Sequence, residues 1–215
     1  MIPVHLILSN VGEKLPCGTS RFWGNPDLPS DYSFPEYVDE EGNKCNYNFL
    51  CQINLADVAP YDINNILPHN GVLSFFAIMG SYIGDYNSAT PIGGVVSNSN
   101  AVKVIYFPMS EGVREVKPDN GNAEFIVPNE IKIDFSLSKN DDSDEHALLA
   151  EPQFRQWDNW DHPYEDWQIL LQVDSFEGDD FILNFMDVGV LDFLISPSDL
   201  KQHCFDNVRA IVLSS

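Results

Sequence analysis

The sequence predicts a sheet-rich α+β fold, organised as a single domain with a few short helices. Short runs rich in Val, Ile and Phe recur between turn residues, while helical periodicity is scarce. One unit, a strand followed by a loop, a glycine and a second strand, occurs twice. The chain has 215 residues, 44% of them hydrophobic, and folding at this length buries about 70% of the surface of the unfolded chain. A core of that size requires neither disulfides nor a structural metal.

The segments with the composition of strands are short and bounded by turn residues. They are residues 4–8, 49–53, 72–78, 102–107, 124–127, 131–137, 169–173, 181–185, 190–195 and 208–213. Two short helices are expected between them. Asn54 can cap a helix that starts at Leu55, and Ser196 can cap one that has Pro197 in its first turn.

The strand–loop–Gly–strand unit has the same landmarks in both copies. The first copy carries Gln52 in its first strand and Gly71 before its second, 19 positions later. The second copy carries Gln172 and then Gly189, 17 positions later. An Asn or Asp follows each glutamine by two positions. Because order and spacing both match, we expect an internal duplication within one domain, residues 1–215, with halves at approximately 20–80 and 147–200.

Four motifs of the chain are similar to motifs of one bacterial family. They read S-R-F-W-G-N-P-D-L-P at 20–29, F-L-C-Q-I-N-L at 49–55, L-P-H-N-G-V-L-S-F-F at 67–76, and L-L-Q-V-D-S at 170–175 followed by G-V-L at 189–191. On these motifs the chain resembles the YwqG-like family, whose function is unknown. The resemblance implies a sheet-rich α+β fold. It implies no established activity, so no catalytic residue is carried over.

The chain departs from that family's pattern at three places. Trp23 stands where the family has the first Gly of a Gly-Gly pair. Residues 186–189 read M-D-V-G in place of W-G-D-x-G, and residues 150–153 read A-E-P-Q in place of a G-Y-P-type turn. A function that depends on close backbone approach to a Gly-rich turn is therefore not expected.

The chain is strongly acidic, with 33 Asp and Glu against 11 Lys and Arg and a net charge of −22. Nucleic-acid binding and docking on an anionic membrane are the classes that this charge disfavours, because both need basic residues. A field of this sign attracts a basic partner and speeds its association. The expected partner is therefore a basic protein, and the sequence gives no oligomeric state.

Targeting and cofactor signals are missing from the sequence. Residues 1–8 lack the basic start and the cleavage site of a signal peptide, and no segment approaches the roughly 18 apolar residues of a membrane span. The four cysteines form no C-x-x-C pair, so we expect a reduced, cytoplasmic protein. Nucleotide-binding, serine-hydrolase and zinc-protease motifs are absent. We predict no catalytic residue, no cofactor and no metal site.

Gln52 and Gln172 are the first candidate binding residues, because they occupy matched positions in two apolar strands. A glutamine side chain offers two donors and one carbonyl acceptor. Two interpretations stay open. Each glutamine ties a neighbouring loop to its strand, or the two face a shared cleft.

The second candidate is residues 157–167, which we name the Trp-rich loop. Its expected contact residues are Trp157, Asp158, Trp160, Asp161, His162, Glu165 and Asp166. Aromatic rings beside carboxylates suit a sugar, a cation, or the Arg and Lys of a partner. The alternative is that the tryptophans fill the core while the acids face water. The acidic run at 141–145 is a further expected contact surface.

Two classes of function follow from these observations. The preferred one is a non-enzymatic acidic module that binds a basic protein, in its sharpest form an immunity-type inhibitor of a basic toxin. The alternative is a small-molecule or carbohydrate-binding protein, or an enzyme, that uses the Trp-rich loop. The first class predicts that neutralising Asp158, Asp161, Glu165 and Asp166 weakens binding to a basic partner more than it changes folding.

Overall fold

The fold is given by a computed structural model that describes residues 1–108, 112–119, 127–139, 145–152 and 160–214. The strands of these residues, in chain order, are β1 (Val4–Ser9), β2 (Arg21–Phe22), β3 (Asp27–Pro29), β4 (Glu36–Val38), β5 (Lys44–Asn46), β6 (Asn48–Asn54), β7 (Val72–Ala77), β8 (Val102–Phe107), β9 (Val113–Glu115), β10 (Ile131–Ser136), β11 (Ala147–Leu148), β12 (Gln168–Asp174), β13 (Phe176–Glu177), β14 (Ile182–Leu183), β15 (Val190–Ile195) and β16 (Arg209–Leu213). The helices are α1 (Leu55–Val58) and α2 (Pro197–Gln202), and a 3-10 turn covers Gly80–Ile83.

Ten of these strands form one antiparallel sheet. Their order is β16-β15-β12-β11-β1-β10-β2-β6-β7-β8, and the sheet curves until it is nearly closed on itself. Short two-stranded ribbons, β3–β9, β4–β5 and β13–β14, lie outside it. The expectation of a sheet-rich fold with few short helices is confirmed.

The two copies of the sequence unit pair in the same register. Gln52 of β6 lies opposite Ser74 of β7, and Gln172 of β12 lies opposite Asp192 of β15. Each first strand has a bulge two residues before its glutamine. The strand order is also equivalent from either end of the sheet, with β8-β7-β6-β2 on one side and β16-β15-β12-β11 on the other. A duplication would produce this geometry, and the duplication itself stays a prediction.

The glycine of each copy allows a close backbone approach. Gly71 directly precedes β7 and Gly189 directly precedes β15, as the pattern predicts. A Cβ at Gly71 would overlap the carbonyl oxygen of Phe107, and one at Gly189 would overlap that of Leu213. Those two carbonyls belong to the last residues of β8 and β16. Because glycine has no Cβ, the end of β8 can pack directly against Gly71, and the end of β16 directly against Gly189.

Both predicted helix caps are confirmed. The side chain of Asn54 accepts a hydrogen bond from the backbone N–H of Ala56 at the start of α1. The hydroxyl of Ser196 accepts from the backbone N–H of Asp199, three residues into α2, with Pro197 at the first helical position. Each cap satisfies a backbone donor that has no partner inside its helix.

Two strand predictions need correction. Residues 181–185 form only the two-residue strand β14, because that segment pairs with the equally short β13 and not with the large sheet. The predicted strand at 124–127 lies mostly outside the described residues, and Val127 itself is in no strand. The other predicted strands are confirmed, with ends shifted by at most a residue or two.

The core has a main cluster and two smaller ones. The main cluster joins both halves of the sheet, and Phe75 of β7 contacts Phe193 of β15 with ring centroids 5.2 Å apart. A second cluster lies beneath the β4–β5 ribbon and includes Phe34, Tyr47 and Phe49. This second cluster forms the aromatic floor of the candidate site described next.

Candidate functional site

A buried ion pair lies beside β2 and β6. Arg21 and Asp27 are 2% and 3% exposed, and Nη1 of Arg21 donates to Oδ2 of Asp27 at 2.8 Å. The same oxygen accepts from the backbone N–H of Gly18 and from Nε2 of Gln52, both at 2.8 Å. Nε of Arg21 lies 3.6 Å from a carboxylate oxygen of Glu130. The two charges are therefore enclosed by partners, as buried charges must be.

The pKa of the Asp27 carboxyl lies below its ordinary value. Burial raises this pKa, but the hydrogen bond and the charge of Arg21 lower it, and Gly18 and Gln52 add two donors in the same direction. The hydrogen-bond donors and the charge of Arg21 together outweigh the effect of burial, so Asp27 is an anion at neutral pH. Sequence reasoning missed this pair. The sequence did offer a signal, because residues 20–29 contain one Arg and one Asp, a pair of opposite charges six positions apart.

Both candidate glutamines are buried and bonded to neighbouring backbone. Gln52 accepts from the backbone N–H of Asp27 at 2.9 Å and donates to the carbonyl of Thr19 at 3.0 Å. Gln172 donates to the carbonyl of Glu145 at 2.7 Å. These bonds fit the interpretation in which each glutamine ties a loop to its strand. Their role in binding stays a prediction.

The Arg21 network holds a tight turn at residues 23–25. Trp23 and Gly24 both have positive φ, 58° and 71°. Nη2 of Arg21 donates to the carbonyl of Asn25 at 2.5 Å, and Nδ2 of Asn25 donates to Glu115 at 3.0 Å. A Cβ at position 24 would overlap the side chain of Glu130, which explains why a glycine stands there. The turn is therefore fixed on both sides.

Two cavities flank this turn. One, of about 700 Å³, lies between the turn and the β4–β5 ribbon, and we name it the hairpin cleft. The other, of about 800 Å³, lies on the side of β13 and β14, and we name it the second cavity. Gly24, Asn25, Val127 and Pro128 line both, so the turn at 23–25 is the ridge that separates them.

The hairpin cleft combines aromatic rings with carboxylates. Its aromatic residues are Trp23, Phe34, Tyr37, Tyr47 and Phe49. Its acids are Asp39, Glu40, Glu41, Asp85 and Asp119, against Lys44 as the basic residue among its described lining. The second cavity is acidic as well, with six carboxylates and Lys14 among the residues described there. Both cavities therefore present negative charge.

Two side chains of the hairpin cleft, Asp39 and Tyr37, have shifted pKa values. Hydrogen bonds from the side chain and backbone of Asn43, with a further one from the backbone of Glu41, lower the pKa of the Asp39 carboxyl. Burial raises the pKa of the Tyr37 phenol to about 12, with the neighbouring Cys45 acting in the same direction. Asp39 is thus a carboxylate and Tyr37 a neutral phenol.

Sequence reasoning did not single out the hairpin cleft. Its wall comes from the ribbon at 36–46, the 3-10 turn region at 80–89 and residues 118–119 and 127–128, which are distant in the chain. A local signal did exist. Asp39, Glu40 and Glu41 form an acidic turn that ends at Gly42 and is flanked by Tyr37 and Tyr47.

The Trp-rich loop is divided between the core and the surface. Trp157 and Asp158 lie outside the described residues. Trp160 is 2% exposed, belongs to the third core cluster, and donates from Nε1 to the carbonyl of Trp167 at 2.9 Å. Trp167 is partly exposed and contacts Tyr164, with centroids 5.0 Å apart.

The described acids of this loop face water. Asp161, Glu165 and Asp166 are exposed, and Nδ1 of His162 lies 2.7 Å from Oε1 of Glu165. None of these residues is among the lining of the hairpin cleft or the second cavity. Of the acidic run at 141–145, only Glu145 is described, and it pairs with Lys139. The contact role of both segments stays a prediction.

Among the residues that the structure describes, no group of three or more His, Cys, Asp or Glu side chains is placed to hold a metal ion. In the same part of the chain, no helix has the length and apolar character required to cross a bilayer.

The fold and the two cavities define a sheet-rich protein with anionic surface clefts and a fixed turn between them. A family model described as a domain of unknown function, DUF1963, matches residues 20–212. The chain therefore belongs to the DUF1963 family. No curated protein matches the chain at a significant level.

Proposed function

We propose that the protein is a non-enzymatic module that binds a basic protein, and that the bound partner is a toxin which it inhibits as an immunity-type protein. The observation that carries this proposal is the pair of acidic cavities on either side of one fixed turn. Each cavity has at least five carboxylates for one described lysine. Two adjacent anionic surfaces fit a large cationic partner better than a single small ligand.

Charge supports the proposal over the whole molecule. The folded chain exposes 10920 Å², which is about one excess negative charge per 500 Å². Such a field raises the encounter rate with a basic protein by ten- to a thousandfold at low salt. Because these charges are exposed to solvent, added salt screens them and reduces the gain in association rate.

Rigidity of the ridge supports the proposal as well. The turn at 23–25 is bonded to the buried Arg21 on one side and to Glu115 on the other. A surface fixed before binding loses little conformational entropy when the partner docks. Pre-organisation of this kind is typical of tight protein inhibitors.

Several narrower statements belong to the same proposal. We propose that the chain is a single domain, residues 1–215, that arose by duplication of halves near 20–80 and 147–200. The similar register of β6–β7 and β12–β15 supports this. We also propose a cytoplasmic location and membership in the YwqG-like group. The exposed acids Asp161, Glu165 and Asp166 are proposed as a further contact surface for the partner.

The test is affinity capture with the tagged protein from the lysate of its source organism, at low and at high salt. Mass spectrometry identifies the captured proteins and their stoichiometry. We expect one stoichiometric basic protein at low salt that is released at high salt, because exposed ion pairs are screened. Absence of any such protein under both conditions contradicts the proposal.

A further inference from the structure

We propose that the hairpin cleft receives an arginine side chain of the basic partner. This inference rests on the proposed function and assigns its contact site. Two features of the cleft support it: an aromatic floor, and the carboxylates of the ribbon turn beside it.

The aromatic floor suits a planar cation. Tyr37 and Tyr47 contact each other with ring centroids 5.1 Å apart and planes tilted by 59°. Tyr37 is partly exposed, and burial raises the pKa of its phenol to about 12. At neutral pH it therefore offers a guanidinium a neutral ring face and no phenolate charge. A guanidinium stacks on such a face and is attracted by the ring quadrupole.

The ribbon turn places three acidic residues at the cleft, and one of them, Asp39, is fixed by hydrogen bonds. Oδ1 of Asp39 accepts from the backbone N–H groups of Glu41 and Asn43, at 2.9 and 2.8 Å. Glu40 and Glu41 follow in the same turn and are exposed. A guanidinium has five donors in a planar fork that fit carboxylate oxygens in pairs, whereas an ammonium is a compact point charge. The cleft therefore favours Arg over Lys.

The size of the cleft fits this occupant. Its volume of about 700 Å³ lies within the range of pockets that hold peptide side chains and drug-sized ligands. That space admits an arginine side chain and the adjoining backbone. It does not need the partner to unfold, because the cleft opens beside the exposed β4–β5 ribbon.

The first experiment measures binding of a fluorescein-labelled peptide of eight arginines by fluorescence polarisation. Peptides of eight lysines and of eight citrullines are the controls, since citrulline keeps the shape of arginine without its charge. We expect the arginine peptide to bind most tightly, the lysine peptide more weakly, and the citrulline peptide not at all. Equal binding of the citrulline peptide, or no binding of the arginine peptide, overturns the inference.

Two matched triple variants locate the peptide. One carries Glu40→Gln, Glu41→Gln and Asp119→Asn in the cleft. The other, the control variant, carries E151Q, D187N and D206N, at positions that line neither cavity. All six side chains are exposed, and each variant loses three negative charges. We expect the cleft variant to bind the arginine peptide about tenfold or more weakly and the control variant to change it by less than about threefold. Equal losses would show a general field effect and would overturn the assignment.

The failure of this inference is distinguishable from failure of the proposed function. If no basic protein is captured from lysate by the unaltered chain, the proposed function fails. If a basic protein is captured equally well by the unaltered chain and by the cleft variant, the function stands and the cleft assignment fails.

Discussion

Replacing Asp27 by alanine tests the buried network that fixes the ridge between the cavities. The change removes the acceptor of three hydrogen bonds, from Gly18, Arg21 and Gln52. It also leaves the guanidinium of Arg21 buried, with Glu130 at 3.6 Å as its remaining ion-pair partner among the described residues. Removing one member of a buried pair costs about 3–5 kcal/mol. Because Glu130 still compensates part of the charge, we expect a loss of about 3 kcal/mol.

The conservative variant separates charge from hydrogen bonding. Asp27→Asn keeps an oxygen that can accept from Gly18, Arg21 and Gln52 but removes the negative charge. We expect it to lower the free energy of unfolding by about 1–2 kcal/mol, between the unaltered chain and Asp27→Ala. Urea denaturation followed by circular dichroism at pH 7 measures both values. A change of less than about 0.5 kcal/mol for Asp27→Ala would refute the argument, because surface substitutions already reach that size.

The stability of the unaltered chain and that of Asp27→Asn should depend differently on pH. Because the folded state depresses the pKa of Asp27, its stabilising contribution is fully present above its ordinary value of 3.8 and is lost as pH falls from there through the depressed pKa. Asp27→Asn has no such group. The stability difference between the unaltered chain and Asp27→Asn should therefore be constant near neutral pH and narrow below about pH 4. A difference that widens on acidification would contradict the assigned sign.

Three further predictions follow from backbone and side-chain geometry. Gly189→Ala should lower the free energy of unfolding by more than about 1 kcal/mol, because the added Cβ would overlap the carbonyl of Leu213. The matched control Gly94→Ala has open space around it and should change that free energy by less than about 0.5 kcal/mol. Urea titrations measure both. Val188 is exposed with a φ of 55°, so Val188→Asn should raise stability by about 1 kcal/mol. The matched change at the exposed strand residue Val38 should give no gain in the same assay. Tyr37 should keep its phenol proton to about pH 12 in a ¹³C NMR titration, and ionisation near pH 10 would contradict its burial.

Much of the large sheet could be predicted because its signals are local. Strands such as β8 and β15 are short, largely apolar runs between turn residues, each with a single charged residue. The caps at Asn54 and Ser196 act within three residues of themselves. The strand β2 could not be predicted in this way. It is two residues long and exists because β6 and β10 flank it from distant parts of the chain.

The candidate site was mostly beyond sequence reasoning for the same physical reason. Six positions separate Arg21 from Asp27, and the chain must turn at residues 23–25 before the two can pair. The hairpin cleft needs the ribbon at 36–46 to meet residues 118–119 and 127–128, an arrangement that no local pattern encodes. Net charge, in contrast, is independent of folding, so a basic partner could be expected from composition alone.

The central claim is that the acidic hairpin cleft recognises a basic protein. Its most direct test is quantitative affinity capture at low salt with three baits: the unaltered chain, the Glu40→Gln, Glu41→Gln, Asp119→Asn variant, and the E151Q, D187N, D206N control variant. We expect one stoichiometric basic protein on the unaltered chain and on the control variant, and a loss of about tenfold or more on the cleft variant. Equal capture by all three baits, or capture of no basic protein by the unaltered chain, would contradict it.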